Sequence, residues 1–237
     1  MDAETGALVN VLDHGYVRLV ESWGRGDAGE SEAAIIEAAR QSTQGSFRGW
    51  EKDEKLLRFL FENKHSGPFE FAGMTIEVQA PIFVFREWHR HRTQSYNEMS
   101  ARYAPLPDLN YIPTMERLLM PASGGGAQSA GLKDAPVLTS HAAERFQEEL
   151  ATCYERAQTI YEVALASGVP KELARIVLPV GRYSRMRASA NLRNWLGFLT
   201  LRMDPAAQFE IRQFANAVGE IVKQQFPRTW ALFSERP

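Results

Sequence analysis

The chain of 237 residues holds a single cysteine, Cys153. One thiol excludes an internal disulfide and any multi-cysteine zinc or iron–sulfur site. Long apolar runs are missing as well: no stretch reaches the roughly 20 residues that a membrane-spanning helix needs. The opening MDAETGALVN has neither the basic start nor the hydrophobic block of a secretory signal. A cytoplasmic protein with no membrane partner is therefore expected. A basic excess is also absent. With 27 Lys and Arg against 29 Asp and Glu the net charge is −2, whereas a general nucleic-acid surface needs surplus cations to displace counterions. There is no internal repeat and no linker long enough to force a second domain, so residues 1–237 are read as one domain able to bury a sizeable core.

What positive charge exists is gathered locally, from Arg86 to Arg102 and from Arg175 to Arg202. Such clusters suit a small anionic ligand better than a polymer. The first contains the most informative stretch of the chain, RHRTQSYNEMSARY from Arg90 to Tyr103, which holds three arginines, a histidine, two serines, an asparagine and a glutamate. Guanidinium forks bind phosphates and the carbonyl edges of planar heterocycles, and Ser, Asn and Glu can complete a hydrogen-bonded site around them. The apolar lead-in APIFVFREW can be buried, so the polar groups are delivered by an anchored element. A solvated, charge-paired helix surface is the alternative, but it would need neither the apolar lead-in nor arginines at both ends.

The rest of the chain reads as a mixed α+β domain: a small, mostly antiparallel sheet packed by several helices. Ala7 to Leu12 and Tyr16 to Val20 flank Asp13, His14 and Gly15 as a hairpin, and helical spacing appears at Ser31 to Arg40 and Lys52 to Asn63. Phe71 to Gln79 alternates as a strand, Pro81 closes it, and Ile82 to His91 is expected to run as a helix into the polar stretch. Residues 122–136 read as a mobile loop from their Gly and Pro content. A long helix follows, with Phe146, Leu150, Cys153, Tyr154, Ala157, Ile160, Tyr161 and Ala164 at the spacing of a buried stripe. This places Cys153 on the core side as a structural residue. Gly168 and Pro170 end that helix and start another, and Ile211 to Val222 marks a further amphipathic helix.

Two patterns compete for attention. Gly24 to Gly29, GRGDAG, satisfies the dinucleotide fingerprint GxGxxG. Asp27, Glu30 and Glu32, however, would set carboxylates where a pyrophosphate should meet the helix dipole, and repeated βαβ units are missing. The glycines are taken as a turn. Glu87, His89 and His91, with His65, have the residue types of a metal site. A His-x-His pair on a helix points its side chains about 200° apart, so metal-free chemistry is favoured.

RHRTQSYNEMSARY matches the RHRxxSxNExSxRY pattern of flavin-dependent thymidylate synthases at every fixed position. The chain is similar to that family from about Val11 to Phe233. HSGPFE at His65 to Glu70, RIVLP at Arg175 to Pro179 and NLRNWLGFLTLRMDPAAQFEIR at Asn191 to Arg212 resemble three further family blocks. The resemblance implies reductive methylation at C5 of a uracil nucleotide, dUMP to dTMP. Methylenetetrahydrofolate would supply the carbon, FAD reduced by NADPH the hydride, and a homotetramer would assemble its active sites from several chains. It assigns nucleotide contacts to Arg90, Glu98, Ser100, Arg102, Arg175 and Arg202, with Arg202 and Arg90 nearest the chemistry and Glu87 beside them. Flavin contacts fall to Ser42, His65, Glu70, His91, Arg92, Asn97, Glu98, Asn191 and Arg193. Glu87 sits where Gln is common, Phe71 where many members have His, Gly197 in place of Asn and Ala206 in place of His, and these departures bear on flavin affinity and substrate choice.

The residue types suit the task. Arginine stays protonated and presents a rigid fork, so Arg202 can stabilise negative charge building on the pyrimidine. Cys153 lies far in sequence from the signature and Ser100 has no histidine placed as its base, so no side-chain nucleophile is expected. Two other readings stand beside this one: a homologue that also methylates UMP, and a non-catalytic flavin- or nucleotide-binding module.

Overall fold

The computed structural model describes residues 7–25, 31–43, 45–120 and 137–235. Among these residues five strands form one sheet: β1 Leu8–Val11, β2 Gly15–Trp23, β3 Gly73–Pro81, β4 Ser95–Glu98 and β5 Tyr183–Asn191, in the order β1-β2-β3-β5-β4, with every pair antiparallel. Among the described residues the helices are α1 Ala33–Arg40, α2 Trp50–Glu62, α3 Ile82–Trp88, α4 Met115–Leu119, α5 Ser140–Ala166, α6 Lys171–Ala174, α7 Leu192–Arg202, α8 Phe209–Gln225 and α9 Pro227–Ser234. None is long and apolar enough to cross a membrane.

Side-chain alternation decides which sheet face is buried. Met74, Ile76, Val78 and Ala80 of β3 and Met186, Ala188 and Ala190 of β5 point into one core with Trp195, Phe198 and Leu199 of α7 and Phe214, Val218 and Ile221 of α8. The Trp195 indole N–H donates to the Met74 carbonyl at 3.0 Å and pins α7 to β3. On the opposite face Glu77 sits in register between Arg18 and Arg187. Its Oε1 accepts from Arg18 Nη2 at 2.6 Å and from the Tyr16 hydroxyl at 2.8 Å.

The hairpin, α1, α2, β3 and the C-terminal amphipathic helix fall where the sequence places them. Among the described residues all pairs of named strands are antiparallel, so GRGDAG serves no parallel βαβ unit there. Gly24 instead passes close to the Ser31 backbone, where a Cβ would lie 2.2 Å from the Ser31 carbonyl oxygen. Residues 26–30 lie outside the described set, as does the loop expected over 122–136.

Two expectations need correction. Helix α3 stops at Trp88 and does not run to His91. Trp88 is fully buried, its indole N–H donates to Gln94 Oε1 at 3.1 Å, and the Tyr96 hydroxyl reaches the carbonyls of Trp88 (3.1 Å) and His91 (2.7 Å). These bonds fold the chain back after Trp88, so the helical geometry used to weigh the His-x-His pair does not apply. The second correction concerns α5. Its stripe divides: Tyr154, Ala157 and Tyr161 are buried, whereas Phe146, Cys153 and Ile160 are exposed. The helix meets the domain along a narrow line, and Cys153 lies outside it.

Candidate functional site

The turn after α3 carries the signature. β4 lies at the sheet edge on β5, pairing Ser95 with Ser189 and Asn97 with Arg187, and the Met99 N–H donates to the Arg185 carbonyl at 2.7 Å. Asn194 of α7 donates its side-chain N–H to the Thr93 carbonyl at 3.1 Å. Trp88 stacks on Phe198 of α7 with ring centroids 4.6 Å apart. Gln94 and Tyr96, variable in the sequence pattern, are thus the residues that hold the turn. Burial holds the Tyr96 hydroxyl protonated by pushing its pKa up.

The expected nucleotide residues separate into two groups within one chain. The first centres on Arg202, at the end of α7. Its Nε donates to His91 Nε2 at 2.9 Å, Nη1 to Glu87 Oε2 at 3.0 Å and Nη2 to the Glu87 carbonyl at 2.9 Å. Burial, and then the nearby guanidinium, lower the His91 pKa to about 4, against a smaller opposing pull from Glu87. Arg90 is exposed, its Nε 3.9 Å from Glu87 Oε1.

The second group lines a cavity of about 350 Å³. Glu98, Ser100 and Arg175 face it, together with Arg86 and His89 of the α3 segment. Neither Arg202, Glu87 nor Arg90 reaches its wall. Arg102 lies beside it, with its Nε 3.2 Å from Glu172 Oε2 and its N–H donating to Ser100 Oγ at 3.3 Å. Arg86 and His89 are site-lining residues absent from the expected set. With Ile82 they follow the three- and four-residue spacing of one helix face, and that spacing is the signal available for finding them.

The expected flavin residues are spread more widely. Glu70 and Arg193 form an ion pair. Asn191 Oδ1 accepts from the Asn194 N–H at 3.0 Å and so caps α7, which leaves its side-chain N–H group for other partners. Arg92 and Asn97 are exposed in the turn and on β4, Ser42 is exposed in the short turn after α1, and the His65 ring stands edge-on to Phe59. A cleft of about 190 Å³ between α2 and α7 is walled by Leu60, Phe69 and Leu196, with Lys64 and Arg193 at its polar edge and Gly197 facing it. Of the expected flavin residues, only Arg193 lines this cleft. Phe71, beside Glu70, is exposed.

Residues 18–228 match the family model described as thymidylate synthase complementing protein. The chain belongs to the flavin-dependent thymidylate synthase family. It is 37% identical over 227 residues to the flavin-dependent thymidylate synthase of Thermus thermophilus, covering 96% of this chain and 78% of that one. To the Thermotoga neapolitana enzyme it is 36% identical over 95% of this chain and 93% of that one. The fold of this family member is also that of a UMP/dUMP methylase, PolB from Streptomyces cacaoi. The form bound with 5-Br UMP superposes with a TM-score of 0.78 at 30% identity, covering 95% and 96% of the two chains. The form bound with 5-Br dUMP gives 0.79 at 32%, covering 95% and 97%.

Proposed function

We propose that the chain methylates C5 of dUMP reductively, taking its carbon from methylenetetrahydrofolate and its reducing equivalents from NADPH. The observation that carries this reading is the Arg202 fork. A guanidinium has five N–H groups, and three are held by His91 and Glu87, which leaves one on each terminal nitrogen. That pair is fixed in direction before substrate arrives, so it can stabilise negative charge gathering on a pyrimidine carbonyl without reorganising. Glu87 and His91 act here through Arg202: they orient it.

The cavity group supplies the rest. Arg175 and Ser100 suit a phosphate, and Arg102 can join them by leaving Glu172. Because the Arg202 group and the cavity group do not share a wall within one chain, the reading has a second copy bring one group to the other, in a homotetramer. FAD fits the remaining donor set: the cations Arg92 and Arg193, the amides of Asn97 and Asn191, and the open space before Gly197, where a Cβ would meet nothing within 4 Å. When bound and reduced, the flavin supplies the hydride.

UMP is the second substrate this reading admits, because PolB was captured with 5-Br UMP as well as 5-Br dUMP at similar structural likeness. The test is turnover by purified protein with NADPH and methylenetetrahydrofolate, with dUMP and UMP in parallel and bound flavin read from its absorbance. Formation of dTMP is the expected result. Flavin-loaded protein that turns over neither nucleotide overturns the proposal.

A further inference from the structure

We infer that His89 is a nucleotide-contacting residue whose Nδ1 accepts a hydrogen bond from the 3′-hydroxyl of the substrate's sugar. This rests on the nucleotide reading of the cavity lined by Glu98, Ser100 and Arg175. The ring is clasped on three sides: stacked on Phe85 with centroids 6.2 Å apart, edge-on to Tyr96 at 4.9 Å, and with Nε2 3.1 Å from Met186 Sδ. A thioether sulfur can only accept. Of the two neutral tautomers the Met186 contact favours the one with its proton on Nε2, which turns the Nδ1 lone pair to the cavity, and Nδ1 has no partner among the described residues.

The cavity then holds two kinds of group. Arg86, Arg175 and Ser100 donate, and they suit a phosphate. Glu98 and the His89 lone pair accept, and neither suits an anion. A uracil nucleotide has few donors to offer them: its sugar hydroxyls and the imide N–H. In a cavity of about 350 Å³ with the phosphate on the arginines, the sugar is the part that comes next. The 3′-hydroxyl is the one that dUMP and UMP share. His89 reads that hydroxyl.

The experiment pairs protein and ligand changes. Dissociation constants of dUMP, UMP and 2′,3′-dideoxyuridine monophosphate are measured on flavin-loaded wild type, His89→Phe and His89→Asn. Phe keeps the packing on Phe85 and Tyr96. Asn keeps an acceptor near the Nδ1 position. Wild type should bind the dideoxy nucleotide about 5- to 10-fold more weakly than dUMP, the size of one hydrogen bond. His89→Phe should lose about the same factor on dUMP and UMP and nothing on the dideoxy nucleotide, while His89→Asn retains most of the affinity. Should Phe disturb the fold, His89→Leu serves in its place, with retained flavin as the check. Equal losses on dUMP and the dideoxy nucleotide, no loss on dUMP, or a loss confined to UMP would each overturn the assignment. Wild type that binds none of the three removes the nucleotide reading itself, and the assignment with it.

Discussion

Arg202 Nε donates to His91 Nε2 at 2.9 Å, so a permanently charged group fixes the protonation state of an imidazole. His91 can accept that bond only while neutral, and burial together with Arg202 lowers its pKa to about 4. The unfolded value is about 6.5. Between the two the unfolded chain takes up a proton that the folded chain refuses, so stability from this residue is lost as pH falls from about 6.5 toward 4. Thermal melts of the flavin-free protein from pH 7.5 to 4.5 should show this loss in wild type. His91→Gln, which accepts the bond but does not titrate, should show a flatter acid limb. Parallel curves for the two proteins would remove the linkage.

Arg202→Ala should leave the fold intact and cut kcat by at least on the order of 10²- to 10³-fold, the cost of losing a donor aimed at developing charge. Arg202→Lys should not restore it, because an ammonium cannot bond His91 and both Glu87 oxygens in one plane. The variant has a second readout. With the second-largest depressing influence on His91 gone and Glu87 still beside it, the His91 titration followed by NMR should move upward.

The signature and the arginine blocks are legible in the sequence because each fixed position is a polar residue whose chemistry survives without coordinates. Strand β5, Tyr183–Asn191, is not, although Met186, Ala188 and Ala190 alternate with Arg185, Arg187 and Ser189. Small alanines give the period-2 signal little amplitude. The end of α3 at Trp88 depends on Gln94 and the Tyr96 hydroxyl folding back, a tertiary choice that overrides helical spacing. Arg202 can be named from sequence, but its clamp needs the fold: Glu87 and His91 lie 115 and 111 positions away.

Cys153→Ala should leave turnover within about twofold of wild type. The thiol lies exposed on the outer arc of α5, and no residue of either nucleotide group belongs to that helix. A cysteine acting at C6 of the pyrimidine would need an activating neighbour and a place in the cavity, and Cys153 is not among the cavity's lining residues. Steady-state rates of the variant with dUMP decide the point. A loss of several orders of magnitude would require a covalent route.

Asp53 is a buried carboxylate with two partners on other segments: it pairs with Arg40, and its Oδ2 accepts from the Arg48 N–H at 2.7 Å. It ties α2 to the end of α1 and to the chain between them. Asp53→Ala leaves the largely buried Arg40 cation unmatched, at a cost of about 3 kcal/mol or more. For a domain of this size that corresponds to a fall in Tm of roughly 6–12 °C. The drop should appear in flavin-free protein, because the residue touches neither nucleotide group.

Two glycines should respond to alanine with opposite signs. At Gly73, where β3 begins, a Cβ would sit 2.3 Å from Trp23 Cζ2 and 2.5 Å from the Ala190 carbonyl oxygen. The Ala190 carbonyl is backbone of the adjoining strand and cannot retreat without opening the sheet, and the Trp23 ring would have to swing out of its packed position. Gly73→Ala should therefore destabilise by about 1–3 kcal/mol, the usual cost of overpacking. Gly197 lies inside α7, and a Cβ there meets nothing within 4 Å. With no packing reason for glycine, Gly197→Ala should gain about 0.5–1 kcal/mol from helix propensity alone. Denaturant titrations of flavin-free protein read both changes. Flavin affinity measured on the same Gly197→Ala sample then tests whether the cofactor uses the space before that helix: stability that rises while affinity falls places a ligand there, and affinity that holds leaves the cleft to another occupant.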